Sequence, residues 1–299
     1  MNQKIHRVSV VGTGTLGTMI AIQAASRGYE VKTYDLDPES FPKNFRNIQN
    51  FLKNMGRNPI PPFAAWEEGA NRVQPCPNLQ VALKNADLVI EAIVENLARK
   101  RELFSQIDLL SPQQAILATN SSSLPISKIE SATNRPEKCL NMHFYMAALG
   151  QNMVDIMGGT RTTPETLEVG IQWIRSLGCV PLAVQKEILG FCFNSIWRAI
   201  KRQSLFMWAG GYVDFRDIDR AWMIFSGMNL GPFGLMDRVG LDVIYDIEMI
   251  YFVESRDPKD YPPEALKAMI ERKELGVKTG KGFYIYPQPE YAQSDFLKD

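Results

Sequence analysis

Short apolar runs alternate with longer stretches of helical periodicity over the first two thirds of the chain. A β-branched run, Arg7–Val11, ends at Gly12, a helical pattern covers Thr15–Arg27, and a second β-rich run covers Val31–Tyr34. A strand, a helix and a strand within about 30 residues predict a βαβ unit.

The same alternation continues beyond this unit. Further strand-like runs lie at Leu88–Ile93, Ala115–Thr119, Cys139–Phe144 and Val180–Val184, with helical segments at Leu97–Leu110 and Pro164–Ser176. This order predicts an α/β fold with a Rossmann-type, doubly wound and mostly parallel sheet. The stretch 41–73 interrupts the rhythm because its prolines, Asn58–Pro62, are incompatible with regular helix, so we expect an excursion from the sheet there.

Helical periodicity dominates the last third of the chain, which predicts an all-α C-terminal domain. We place a Rossmann-like domain at 1–187 and the helical domain at 188–299. Three aromatic residues of this region have helical spacing that favours core positions, namely Trp208, Trp222 and Phe225.

Composition narrows the classes of partner. Equal numbers of basic and acidic residues, 33 of each, give zero net charge and argue against a nucleic-acid surface. The apolar runs are far shorter than the ~20 residues that span a bilayer, and the N-terminus has no signal-peptide core. Four scattered cysteines without a Cys-x-x-Cys favour reduced thiols over disulfides or structural zinc. We therefore expect a cytoplasmic protein with a small-molecule substrate and no metal.

The turn after the first strand reads Gly12-Thr13-Gly14-Thr15-Leu16-Gly17, a G-x-G-x-x-G sequence. Gly12 permits a tight turn, Gly14 lets a pyrophosphate approach the backbone, and Gly17 allows close helix–strand packing. Asp35, at the end of the second strand, can accept hydrogen bonds from ribose hydroxyls and, with Asp37, would repel a 2′-phosphate. The sequence predicts an NAD site, and a structural glycine turn is the alternative.

Two histidines, His6 and His143, are the candidates for acid–base chemistry near neutral pH. Oxidation of a secondary alcohol removes the hydroxyl proton while hydride leaves, so a base must lie within hydrogen-bond reach. His143 falls at the carboxyl end of a predicted strand, where doubly wound folds bind ligands, whereas His6 precedes the first strand. We predict that His143 is the general acid/base and that His6 is a surface residue.

Short motifs follow one another in a fixed order along the chain. They are Gly12–Gly17 with Asp35, Glu91–Asn96 with Lys100, Asn120–Leu124, Met142–Phe144, Gly190–Asn194, Asp217–Asp219, Gly231–Phe233 with Asp237, Val239–Asp242 and Thr279–Tyr284. This ordered set resembles the L-3-hydroxyacyl-CoA dehydrogenase family over nearly the whole chain. The resemblance implies an NAD-dependent oxidoreductase of fatty acid metabolism that interconverts 3-hydroxyacyl-CoA and 3-ketoacyl-CoA. It also implies a homodimer formed through the helical domain and an active site in the interdomain cleft.

The resemblance also implies catalytic roles for individual residues. Ser122 and Asn194 match residues that bind the substrate oxygens, and neutral donors suit an oxygen that gains charge. Asp155 matches a Glu that orients the catalytic His, but its arm is one methylene shorter, so contact requires closer strands or a bridging water. The alternatives are a helix cap for Ser122, an exposed helix position for Asn194 and a solvated strand residue for Asp155.

On the cofactor side, Glu95 and Lys100 match positions near the nicotinamide ribose. A surface ion pair between them is the alternative interpretation. Asn120, which opens the motif Asn120–Leu124, is assigned to the cofactor as well. The predicted cofactor set is thus Gly12, Gly14, Thr15, Leu16, Gly17, Asp35, Glu95, Lys100 and Asn120.

Three departures from the family concern the substrate. Phe144–Gly150 lacks the prolines that follow the catalytic His in the family, and Ser195 stands in place of an Arg. The basic residues available to a CoA phosphate in the stretch 41–73 are few, namely Lys43, Arg46, Lys53 and Arg57. With Asp155, these changes resemble a side branch of diketo ester reductases and non-CoA hydroxy-acid dehydrogenases. The alternatives are therefore a non-CoA 3-hydroxy or keto substrate, or a nucleotide-binding protein with weakened catalysis.

Overall fold

The computed structural model of the chain describes residues 4–54, 63–145 and 153–298. It divides into two units, Met1–Cys192 and Phe193–Asp299. Each unit has its own buried apolar cluster, and each is described by itself below.

A single sheet organises the first unit. Within the described residues it has eight strands in the order β3-β2-β1-β4-β5-β6-β7-β8. The strands are β1 (Arg7–Val11), β2 (Glu30–Tyr34), β3 (Gln74–Pro75), β4 (Leu88–Glu91), β5 (Ile116–Thr119), β6 (Cys139–Phe144), β7 (Met153–Gly158) and β8 (Val180–Val184). All neighbours pair in parallel except β6 and β7, which are antiparallel. The predicted Rossmann-type, mostly parallel sheet is confirmed.

Helices connect these strands and cover the sheet. They are α1 (Thr15–Ser26), α2 (Ser40–Asn54), α3 (Phe63–Arg72), α4 (Leu79–Leu83), α5 (Leu97–Leu110) and α6 (Pro164–Ser176). Side-chain caps fix three helix starts, because Asn78, Asn96 and Thr163 accept hydrogen bonds from the first turns of α4, α5 and α6. Helices α2 and α3 form the excursion expected between β2 and β3, and its predicted proline segment, 58–62, lies outside the described residues.

Alternate residues of the central strands pack into two different clusters. In β4, Leu88 and Ile90 belong to one cluster, whereas Val89 belongs to the other. All three side chains are at most 1% exposed. A strand buried on both faces is typical of a doubly wound sheet, which explains the continuous apolar runs in the sequence.

Five helices form the second unit: α7 (Phe193–Ala209), α8 (Phe215–Ser226), α9 (Pro232–Val239), α10 (Leu241–Ser255) and α11 (Glu264–Glu271). Trp208 packs against Phe233 as predicted, and Trp222 is half-buried. The prediction for Phe225 is wrong, since its side chain is 92% exposed. Met223, two positions earlier on α8, faces the core, and two residues of helix turn Phe225 to the opposite side.

None of the helices in the described ranges combines the length and apolar character that a membrane crossing needs. The same ranges contain no cluster of three or more His, Cys, Asp or Glu placed to hold a metal ion. The four cysteines are free thiols; Cys139 and Cys179 are buried, Cys76 is half-buried and Cys192 is exposed.

A buried carboxylate anchors the core of the helical unit. Asp219 is fully buried and accepts hydrogen bonds from the backbone N–H groups of Phe233 (2.7 Å) and Gly234 (2.9 Å) and from the Tyr284 hydroxyl (2.9 Å). Burial raises the pKa of Asp219 to about 6, so the group is ionised at higher pH. One side chain thereby joins α8, the start of α9 and the C-terminal segment.

We expect Asp219→Ala to lower the free energy of unfolding by about 3 kcal/mol, because it leaves three buried donors without an acceptor. Tyr284→Phe is the matched control and should cost about 1 kcal/mol, since the carboxylate keeps its two backbone donors. Urea unfolding at about pH 8 measures both losses. Equal losses would show that Asp219 does not anchor α9 to the rest of the unit.

Candidate active site

At the glycine-rich loop after β1, three backbone segments lie close together: the loop itself, the end of β4 and the first turn of α1. Gly12 has φ +93°, and a Cβ there would lie 2.7 Å from the Ala92 carbonyl at the end of β4. A Cβ on Gly17, in the first turn of α1, would lie 1.9 Å from the Gly12 carbonyl oxygen. Gly14, by contrast, has no protein atom within 4 Å of a Cβ position. The loop therefore requires glycine at two positions for packing and leaves open space at the third.

Asp35, at the end of β2, holds this loop. Its Oδ2 accepts hydrogen bonds from the Thr13 amide (2.5 Å) and hydroxyl (3.1 Å). The Thr13 carbonyl accepts hydrogen bonds from Ser40 (2.9 Å) and Asn44 (3.0 Å), both in the first turns of α2. The loop is thus fixed from β2 and from α2 at the same time.

A cavity of about 650 Å³ opens in front of the loop. Gly12, Gly14 and Asp35 line it, whereas the other predicted cofactor residues do not. Leu36 and Arg99 also line it and were not among the predicted residues. Leu36 follows the end of β2, and Arg99 lies in the first turn of α5. These two places are far apart in the sequence, and only the folded sheet shows that they are adjacent. The size of the cavity, the open space at Gly14 and the carboxylate of Asp35 fit one half of a dinucleotide.

Lys100 is buried under the end of β4. Its side chain is 1% exposed, and its Nζ donates to Glu91 Oε1 (2.6 Å) and to the Ile93 carbonyl (3.3 Å). It also lies 3.2 Å from Glu95 Oε2. The alternative of a surface ion pair is therefore wrong for Lys100, whose charge is compensated inside the protein and which reaches the site through Glu95.

Glu95 lies at the partly exposed end of this network. It accepts hydrogen bonds from the Ser121 hydroxyl and from the Ser123 amide (3.0 Å) and hydroxyl (2.6 Å). Burial opposes ionisation of this carboxyl, but the charge of Lys100 and the serine hydrogen bonds outweigh it and lower the pKa. The serine turn after β5 is thereby tied to the turn after β4.

Ser122 is the exposed member of this serine turn. The helix cap proposed as its alternative role is wrong, because the short helix Ile126–Lys128 follows Pro125 and has no side-chain cap. Ser121 Oγ instead accepts the hydrogen bond of the Leu124 amide (2.7 Å) within the turn. Asn120 is buried, and its Oδ1 accepts a hydrogen bond from the Phe144 amide (2.8 Å). Asn120 thus links the ends of β5 and β6 beside His143, a contact that no sequence signal indicated.

His143 and Asp155 face each other across the antiparallel pair β6–β7. His143 Nδ1 lies 3.2 Å from Asp155 Oδ2, and the two residues are 5% and 0% exposed. Directly opposed residues place their side chains on the same face of a sheet, so the shorter Asp arm reaches the imidazole without a bridging water. The alternative of a solvated Asp155 is wrong. His6, in contrast, is exposed ahead of β1.

The turn at Gly190 completes the surroundings of His143. Phe191 has φ +52°, in the left-handed region that a non-glycine residue rarely adopts. Its ring stacks on the imidazole with centroids 5.1 Å apart, and the next amide, of Cys192, donates to Asp155 Oδ1 (3.3 Å). Asn194 belongs to the second unit, where it lies half-buried in the first turn of α7.

Two family models match the chain. The NAD-binding domain of 3-hydroxyacyl-CoA dehydrogenase matches residues 7–188, and the C-terminal domain of 3-hydroxyacyl-CoA dehydrogenase matches residues 190–286. The chain belongs to the 3-hydroxyacyl-CoA dehydrogenase family. It is accordingly an NAD-dependent oxidoreductase, and the loop, cavity and Asp35 described above lie in its NAD-binding domain.

Individual relatives cover nearly all of this dehydrogenase. The 3-hydroxybutyryl-CoA dehydrogenase of Clostridioides difficile is 31% identical over 94% of this chain and 99% of its own. The mitochondrial hydroxyacyl-coenzyme A dehydrogenase of Mus musculus is 31% identical over 94% and 91%. A solved diketoreductase, described as acting on dicarbonyl compounds, superposes with a TM-score of 0.84 at 31% identity, over 95% of this chain and 99% of that one.

We expect substitutions at two glycines of the NAD loop, Gly14 and Gly17, to cause different defects. Gly14→Ala should keep the melting temperature and weaken NADH binding roughly tenfold, because the added methyl enters the open space meant for the pyrophosphate. Gly17→Ala should lower the melting temperature by several degrees, roughly what 1–3 kcal/mol of steric strain produces, because its methyl meets the Gly12 carbonyl. Thermal unfolding and NADH fluorescence titration measure the two effects. Identical behaviour of both variants would contradict these roles.

Proposed function

We propose that the enzyme interconverts a 3-hydroxyacyl-CoA and the corresponding 3-ketoacyl-CoA, with His143 as general acid/base and Asp155 as its orienting partner. The observation that carries the proposal is the 3.2 Å contact between these two buried side chains at the carboxyl end of β6. In doubly wound sheets this edge of the parallel strands is where ligands bind. Direct contact favours an active enzyme over a protein that only binds nucleotide.

The contact assigns the protons of the imidazole. A carboxylate accepts hydrogen bonds and donates none, so Asp155 favours the tautomer with its proton on Nδ1 of His143. Nε2 is then the free acceptor for the substrate hydroxyl proton, and the negative charge of Asp155 stabilises the imidazolium that forms. Bound NAD supplies the hydride acceptor for oxidation, and NADH the donor for reduction. In the reducing direction the imidazolium returns its proton to the product oxygen.

The remaining site residues take supporting roles in this proposal. Ser122 is an exposed hydroxyl close along the chain to Glu95's serine partners, and it is proposed to donate to the reacting oxygen. Asn194 is proposed to hold the substrate carbonyl. Glu95 is proposed to bind the nicotinamide ribose, with Lys100 keeping its carboxylate in place. Neutral donors at the reacting oxygen favour the charge that develops there.

A homodimer through the helical domain, 188–299, is part of the proposal. Several large apolar side chains of this domain are more than half exposed, which is costly for a monomer in water. They include Ile196 (58%), Phe206 (56%), Ile224 (61%), Phe225 (92%) and Val253 (67%).

Substitutions at the dyad test the mechanism. We expect His143→Ala to lower kcat by roughly 10³-fold, since general acid–base catalysis contributes about 10²–10⁴-fold. Asp155→Asn should lower kcat at least about tenfold, because it favours the wrong tautomer. NAD affinity should stay within about twofold in both, because neither residue lines the NAD cavity. His6→Ala is the matched control. Full activity of His143→Ala would contradict the proposed mechanism.

A second candidate is a keto acid or diketo ester without CoA. The diketoreductase structure supports it, being as similar to this chain as the CoA-dependent relatives. The described part of α2 offers only Lys43 and Arg46 to a CoA phosphate, both exposed. The side chain of Lys53, together with Arg57 and residues 146–152, lies outside the described residues.

A substrate panel decides between the candidates. With equal enzyme and NAD, we expect 3-hydroxybutyryl-CoA to be oxidised with a kcat/KM at least about 100-fold above that of free 3-hydroxybutyrate, because the CoA part contributes binding energy. Acetoacetyl-CoA and a diketo ester are compared in the reverse direction by nicotinamide absorbance. Preference for the free acid or the diketo ester would replace the first candidate by the second. Absence of turnover with every pair would favour a nucleotide-binding role.

A further inference from the structure

Tyr145 touches both members of the His143–Asp155 pair. Its hydroxyl donates a hydrogen bond to Asp155 Oδ2, the same oxygen that faces His143 Nδ1. Its ring meets the imidazole edge-on, with centroids 4.4 Å apart and an interplanar angle of 66°. Two residues apart on extended backbone, His143 and Tyr145 lie on the same face, which explains why both reach Asp155.

The Asp155 carboxylate depends on such donors. It is fully buried, so ionisation costs it the hydration that a surface carboxylate keeps. Three groups replace that hydration: the imidazole and the Tyr145 hydroxyl at Oδ2, and the Cys192 amide at Oδ1. Of these, the hydroxyl is the one group contributed by a side chain that is neither the proposed base nor its orienting acid.

We propose that Tyr145 is a positioning residue that acts with His143 and Asp155 as a three-membered unit. The hydroxyl donates to the Asp155 carboxylate and limits the negative charge that the imidazole experiences. The Tyr145 ring contacts the imidazole edge-on, and the Phe191 ring stacks on it. The catalytic part of this inference rests on the proposed function. The electrostatic part does not, because it concerns protonation of the free enzyme.

The direction of the effect follows from the charges. Without the Tyr145 hydroxyl, the carboxylate attracts a proton on the imidazole more strongly, so the pair binds its proton at higher pH. Other ionisable groups at the neighbouring strand ends remain constant in this comparison. They are Glu95 and Lys100 beyond β4 and Cys192 beside Asp155.

The chain offers a clean spectroscopic test because it contains two histidines. We label histidine with ¹⁵N and follow the imidazole signals of the full-length protein with pH by NMR. In Tyr145→Phe, which keeps the ring, the midpoint of the His143 titration should rise by about half a pH unit or more, while that of exposed His6 stays constant. Tyr29→Phe removes a hydroxyl that is hydrogen-bonded to Ser176, far along the chain from both histidines. It is the matched control and should shift neither titration midpoint.

Kinetics provide the second readout. Tyr145→Phe should lower kcat roughly tenfold, with an unchanged KM for NAD, and should shift the acidic limb of the kcat/KM profile in the same direction as the NMR midpoint. In an Asp155→Asn background the same change should cost less than about twofold, because the carboxylate charge on which the hydroxyl acts is gone.

The two readouts separate two kinds of failure. A His143 midpoint in Tyr145→Phe that is unchanged or lower overturns the proposal for Tyr145, whatever the substrate. Additive losses of kcat in the double variant also overturn it, because they show that Tyr145 acts independently of Asp155. An enzyme inactive on every substrate pair, but with the predicted NMR shift, refutes the proposed function and leaves the three-membered unit in place.

Discussion

The antiparallel pairing of β6 with β7 is the constraint on which the site depends. It reverses the strand direction for β7 and for β8, which is parallel to β7, and it places Asp155 directly opposite His143. A carboxylate in that position is fully buried, so the structure has to surround it with donors. The imidazole, the Tyr145 hydroxyl and the Cys192 amide meet this requirement. The first two come from the end of β6, and the third comes from the turn at Gly190.

A second buried charge organises the end of β4, two strands away from β6. Glu91 accepts hydrogen bonds from Lys100 and Thr119, which join β4, α5 and β5 below the surface. Such a pair is costly to bury and costly to break, so its value lies in the geometry that it fixes. Here it fixes the turn that carries Glu95, and Glu95 in turn holds the serine turn that presents Ser122. The proposed cofactor and substrate contacts therefore share one rigid support.

The glycine-rich loop likewise depends on contacts between segments that are distant in the sequence. Gly12 and Gly17 are required by backbone contacts with β4 and with each other, whereas Gly14 leaves open space for a ligand. Asp35 binds the loop through Thr13 and at the same time lines the cavity. Cofactor recognition and loop packing are thus carried by overlapping residues, which explains why one short motif predicts both the fold and NAD.

The sequence by itself determined the strand and helix order and the NAD loop, because these depend on local periodicity and on short motifs. It also gave His143 as the candidate base, which stays a prediction. Only the tertiary structure decided that Lys100 is buried, that Phe225 is exposed and that Asp155 reaches the imidazole directly. The reason is physical: burial of a charge depends on partners from distant segments. A single apolar or acidic position in a sequence does not reveal which face of the folded protein it will occupy.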